Sequence, residues 1–123
     1  MSFKPLTAAS AVLLTLAGWP ALVRGHAYPI IVLPPDGATL REAPREVRMQ
    51  FTEGVEMEFS RIVVKNTDGE VFSQGKLRRL AEDIVAIDVK PLRAGAYRIE
   101  WQVLSVDTHV TDGVLRFTVA PMK

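Results

Sequence analysis

The sequence predicts an all-β domain, a small Greek-key β-sandwich or barrel of about seven strands, and two observations carry that prediction. Apolar residues recur with period two in short runs, and no segment sustains the 3.6-residue period of an amphipathic helix. Between the runs stand clusters of Pro, Gly, Asp and Asn at near-regular spacing, which is the chemistry of strand-to-strand turns.

The first run, YPIIVL at 28–33, ends in PPDGA, where Pro and Gly favour a turn. REVRMQF at 45–51 places Val47, Met49 and Phe51 on one side of a strand. SRIVVKN at 60–66 leads into TDGE, a hairpin-type turn, and then into VFSQG at 71–75. IVAIDV at 84–89 follows, closed by PLRAG. In AYRIEWQVLSV, 96–106, Tyr97, Ile99, Trp101 and Val103 face a core while Arg98, Glu100 and Gln102 face water, so Trp101 reads as a core anchor. VLRFTV at 114–119 completes the set. Beyond Val103 the parity flips, with Leu104 and Val106 apolar and Ser105, Asp107 and His109 polar. Either a bulge re-aims the chain there, or the strand leaves the core and offers its former inner face at the rim.

The chain has 123 residues, enough for one modest domain. Its first 25 residues carry an early lysine, an apolar run from Ala11 to about Ala17 and no acidic residue, the pattern of a secretory signal peptide. Gly18 and Pro20 interrupt that run, which falls short of the roughly 20 residues a membrane span needs. The expected organisation is a leader over 1–25 and one exported domain over 26–123. Val23 and Gly25 suit a cut before His26, and a rival cut after Ala27 is also chemically acceptable. Loss of Lys4 and Arg24 with the leader turns the formal charge from +1 to −1, and the only basic cluster is KLRR at 76–79, read as a solvated loop or strand end. Nucleic acid is therefore not an expected partner. The absence of cysteine excludes disulfides, thiolate metal sites and a thiol nucleophile.

The chain holds two histidines, His26 and His109, and Asp107 stands two residues before the second. On an extended segment such a pair points the same way, so the carboxylate and imidazole are expected to converge. If cleavage frees His26, its α-amine and its imidazole can chelate one ion. With the His109 imidazole and an Asp107 oxygen, the set becomes three nitrogens and one oxygen, which suits Cu(II). An α-amine titrates at about 7.7 to 8 and ligand nitrogens must shed their protons, so affinity should fall as pH drops. Blander readings exist: Asp107 could form a turn with Thr108, and His26 could be an ordinary residue at a frayed end. Glu53, Glu56 and Glu58 read as solvated strand edges or loops. No phosphate-binding glycine loop, G-x-S-x-G elbow or H-E-x-x-H helix occurs.

The segments HAYPIIVLPPDGATL, VRMQFTEGVEMEFSRIVVKNTDGE and AGAYRIEWQVLSVDTHVTDGVLRFTV resemble, in order and spacing, the CopC-type periplasmic copper-binding proteins of bacterial copper resistance and homeostasis. The most specific parts are the histidine directly after the leader and W-x-V-x-S-x-D-x-H followed by Gly and F-x-V. The resemblance implies an immunoglobulin-like sandwich in the periplasm that carries one Cu(II) through His26, Asp107 and His109 as a carrier or buffer, not an enzyme. It also implies an inner-membrane CopD-type partner, here expected to be a separate chain. A monomer is expected, and no polysaccharide ligand, since so short a chain has little room for a broad aromatic substrate surface. Two departures stand out. Some members hold Cu(I) in a methionine-rich loop, whereas this mature chain has only Met49, Met57 and Met122, so a separate Cu(I) site is not expected. Val110 stands where members often have Pro. The alternatives are a copper-dependent oxidative enzyme built on an N-terminal histidine and a metal-free interaction module of the same fold. The enzyme is disfavoured because the carboxylate would fill a coordination position that oxygen chemistry needs open.

Overall fold

The computed structural model describes residues 26–122, so the leader expected over 1–25 lies outside the described residues. Eight strands run in the order β1 (Pro29–Leu33), β2 (Ala38–Leu40), β3 (Glu46–Phe51), β4 (Val55–Asn66), β5 (Ser73–Ala81), β6 (Ile84–Val89), β7 (Gly95–Ser105) and β8 (Val110–Val119). They form two four-stranded sheets, β1-β3-β6-β5 and β2-β8-β7-β4. Relabelled A to G, with β1 and β2 as halves of one split first strand, these are the ABED and GFC sheets of the immunoglobulin sandwich. The fold is the all-β, immunoglobulin-like Greek key expected.

The strand beyond the expected seven is β2. Around the cis Leu33–Pro34 peptide and Gly37 at φ 82°, the PPDGA turn passes the chain from one sheet to the other. There Ala38, Thr39 and Leu40 pair in parallel with Phe117, Thr118 and Val119 of β8. Three residues are too few for alternation to show. Limits elsewhere also differ from the sequence reading, because β4 starts at Val55 and β8 at Val110. The KLRR run lies inside β5, not in a loop. β5 is the edge of its sheet, and basic side chains on an edge discourage pairing with another chain.

The two inner faces meet in a core that includes Val47, Met49 and Phe51 of β3, Ile62 and Val64 of β4, Val85 and Ile87 of β6, Ile99, Trp101 and Val103 of β7, and Phe117 of β8. Phe51 meets Trp101 edge-on at 5.6 Å, and Tyr97 stacks on Phe117 at 5.4 Å. The Tyr97 hydroxyl donates to the Arg93 carbonyl at 2.7 Å, the tyrosine-corner contact that ties the start of such a strand to the connection before it. Met49 is sealed in this core, Met57 packs against it and Met122 is exposed in the tail.

On the outer face of the first sheet, Arg78 of β5 donates to Glu46 of β3 at 2.7 Å and to Asp88 of β6 at 2.8 Å, spanning three strands. Hydrogen bonds from Arg78 and then Arg48 hold the Glu46 carboxyl below its ordinary value of 4.5. A depressed carboxyl contributes stability above its unfolded pKa and loses it as pH falls through the lower folded value. At this exposed surface solvent screening keeps that contribution at about 1 kcal/mol or less.

Candidate metal centre

β7 keeps its parity to the end: Tyr97, Ile99, Trp101, Val103 and Ser105 are all buried, and β7 pairs with β8 without a bulge from Gly95 to Leu104. The flip expected beyond Val103 is absent, because Ser105 continues the inner face as a fully buried hydroxyl. The strand then ends in a tight reversal over residues 106–109. Ser105 N–H donates to the His109 carbonyl at 2.9 Å, Thr108 N–H to the Ser105 carbonyl at 2.8 Å, and His109 N–H to Ser105 Oγ at 3.2 Å. Asp107, Thr108 and His109 therefore occupy a hairpin turn and not an extended segment, with Thr108 at φ 68°. The premise that Asp107 and His109 project together from one strand does not hold.

Left-handed backbone at a β-branched residue costs about 1 kcal/mol or more. Thr108→Gly should remove that strain, offset in part by the greater freedom of glycine in the unfolded chain. We expect a net gain of about 0.5 kcal/mol in thermal unfolding of the metal-free protein.

The turn sits beside the first of the described residues. The His26 and His109 rings lie with centroids 4.5 Å apart, tilted by 33°. With metal–imidazole bonds of about 2.0–2.1 Å, two imidazoles meeting one ion at right angles hold their ring centres roughly 4.5 Å apart, so the pair has the spacing of adjacent ligands. Both side chains are exposed to solvent. Among the described residues no group of three or more His, Cys, Asp or Glu side chains is gathered closely enough to hold a metal ion. Asp107 is thus not assembled with the two histidines.

Three further residues surround this pair. The Tyr28 hydroxyl lies 3.2 Å from His26 Nδ1. Thr52, in the connection between β3 and β4, donates its hydroxyl to the His26 carbonyl at 3.2 Å, accepts from Tyr28 N–H at 3.0 Å, and sends its own N–H to the Tyr28 carbonyl at 2.9 Å. Thr111 of β8 donates to the Ala27 carbonyl at 2.7 Å. The sequence reading missed all three. Tyr28 was detectable, since it stands two residues from His26 at the mouth of a strand. Thr52 and Thr111 carry no local signal, because their partners lie 26 and 84 residues away.

Residues 32–120 match the CopC domain, most of the chain. The chain belongs to the CopC family. Among relatives, the copper transport protein CutJ of Bacillus subtilis is 32% identical over 88% of this chain, which spans only 20% of that protein's length. Protein YobA of Escherichia coli is 30% identical, over 94% of this chain and 95% of its own. Copper resistance protein C of Escherichia coli is 28% identical over 80% of this chain. CopC from Methylosinus trichosporium OB3b superimposes with a TM-score of 0.72 at 26% identity, covering 80% of this chain and 97% of that one. PcoC, a methionine-rich copper resistance protein from Escherichia coli, gives 0.69 at 26%, covering 76% of this chain and 98% of that one. The relatives whose names state a role are copper transport and copper resistance proteins.

Proposed function

We propose that this CopC-family chain is exported to the periplasm, loses residues 1–25, and there binds one Cu(II) as a carrier or buffer in copper resistance or homeostasis. The observation that carries the reading is the 4.5 Å approach of the His26 and His109 rings, the only histidines of the sequence, from opposite ends of the domain. A cut before His26 frees an α-amine that forms a chelate with its own imidazole. His109 adds a third nitrogen, and Asp107, exposed at the turn, swings its carboxylate in when the ion binds. Such a mixed nitrogen and oxygen set favours Cu(II) over softer ions and over other divalent metals.

The fully buried Ala27 supports the cut before His26, since the rival cut would strip a core residue together with the histidine. Met49 is sealed and Met57 half-buried, which argues against a thioether Cu(I) site. The likeness to a segment of the copper transport protein CutJ supports a role in moving copper; the proposal includes delivery to a separate membrane partner of the CopD type by a monomeric protein.

Cu(II) titration followed by electron paramagnetic resonance, on protein whose first residue is His26, tests this directly. The expected result is a single tetragonal species with three nitrogen donors, one ion per chain, and affinity that falls as pH drops. A signal equal to that of non-specifically bound copper overturns the assignment.

A further inference from the structure

His26 is the first residue before a plug. Ala27 is completely buried within the core cluster, alongside residues such as Val103 and Phe51, although it precedes the first strand. Its carbonyl accepts from Thr111 at 2.7 Å, and the carbonyl of His26 itself accepts from Thr52 at 3.2 Å. The Thr52 hydroxyl also accepts from Tyr28 N–H, so one side chain brackets the plug from both sides. An exposed terminus would ordinarily fray. Here three consecutive residues are tied to the β3–β4 connection and to β8.

We propose that Thr52 and Thr111 are positioning residues for the metal: they clamp the backbone of His26 and Ala27 so that the N-terminal chelate stands beside His109 before any ion arrives. This inference rests on the Cu(II) reading above and adds to it the source of preorganisation. Without the clamp, binding must order the terminus at its own expense, and affinity falls accordingly. Thr111 acts at a distance from the ion, through the backbone of Ala27. Its neighbour Val110 pairs with Leu104, and Thr111 with Val103, in an unbroken ladder that makes β8 a fixed support.

The test compares Thr111→Val, Thr111→Ser and Thr52→Val in protein beginning at His26, by competition titration with Cu(II) and by paramagnetic resonance. Valine matches threonine in shape and deletes the hydroxyl, and serine keeps the hydroxyl. The expected result is an affinity loss of about tenfold for each valine variant, from a carbonyl left without its donor, and recovery to within about twofold for serine. In a His26→Ala background, which breaks the chelate ring, Thr111→Val should cost less than about twofold. A valine variant that binds as tightly as the parent overturns the clamp. So does an equal loss in the His26→Ala background, because the threonine would then act on the fold and not through the terminus. Should Thr111→Val fail to fold, Thr52→Val decides the matter, since Thr52 is exposed. A parent protein that lacks the three-nitrogen signal refutes the Cu(II) reading itself, which keeps the two failures apart.

Discussion

On the Cu(II) site proposed above, His109→Ala is expected to weaken binding by about 100-fold or more, roughly 3 kcal/mol, because loss of a proposed ligand should exceed the 10- to 100-fold typical of losing a residue behind a ligand. The fold should hardly notice. His109 is exposed, and the hydrogen bonds that shape its turn come from its backbone N–H and carbonyl. Thermal unfolding of the metal-free variant should lie within about 0.5 kcal/mol of the parent. Asp107→Ala should cost less, about tenfold or under, since an oxygen donor at a turn tip must move to reach the ion and Cu(II) prefers the nitrogens. An extra glycine before His26 should approach the His109→Ala loss, because it carries the amine away from its chelating imidazole. Competition titration against a chelator of known affinity orders these three variants. Affinity undiminished in both His109→Ala and the extended protein would remove His109 and the His26 amine from the site.

That ordering follows from what the turn does to Asp107. The two-residue rule for extended segments is sound, and it applies at His26 and Tyr28, where the chain enters β1 and the phenol reaches the imidazole. It fails at Asp107 and His109 because Thr108 takes a left-handed conformation between them. A sequence cannot announce that reversal when the residue at the turn is threonine, which seldom adopts it. Strand identity was legible because Tyr97, Ile99, Trp101 and Val103 alternate with polar residues, and the burial follows that alternation residue for residue. Ser105 misled the parity argument. A serine on the inner face is compatible with burial when its hydroxyl has work to do, and here it accepts from His109 N–H to set the turn. The histidine pair was legible for a different reason, since only two histidines had to meet. Their meeting depends on Thr52 and Thr111, whose roles exist only once strands distant in sequence lie side by side.

Gly113→Ala is expected to destabilise the domain by about 1–3 kcal/mol, an overpacking cost carried by the same β7–β8 pair that supports the site. Gly113 lies directly opposite Trp101 in the ladder. A Cβ built there would stand 2.9 Å from Trp101 Cζ2, closer than such atoms approach, and 3.0 Å from its Nε1, tighter than almost any real contact. The ring has little room to retreat, because it also meets Phe51 edge-on at 5.6 Å and the residue is only 7% exposed. The indole N–H is buried without a hydrogen-bond partner, so the tryptophan holds its place by shape alone. A smaller ring should therefore relieve the clash. In the Trp101→Phe background, Gly113→Ala should cost less than about 1 kcal/mol, a coupling that thermal unfolding of the two single variants and the double variant measures. For a domain of this size each kcal/mol corresponds to a shift of about 4–8 °C in Tm, well within reach of the measurement. Equal costs in both backgrounds would mean that the glycine is required by the backbone and not by the indole. Its backbone is ordinary in the left-handed sense, since the glycines at positive φ are Gly37, Gly69, Gly75 and Gly95. The indole is thus the physical reason for glycine at position 113.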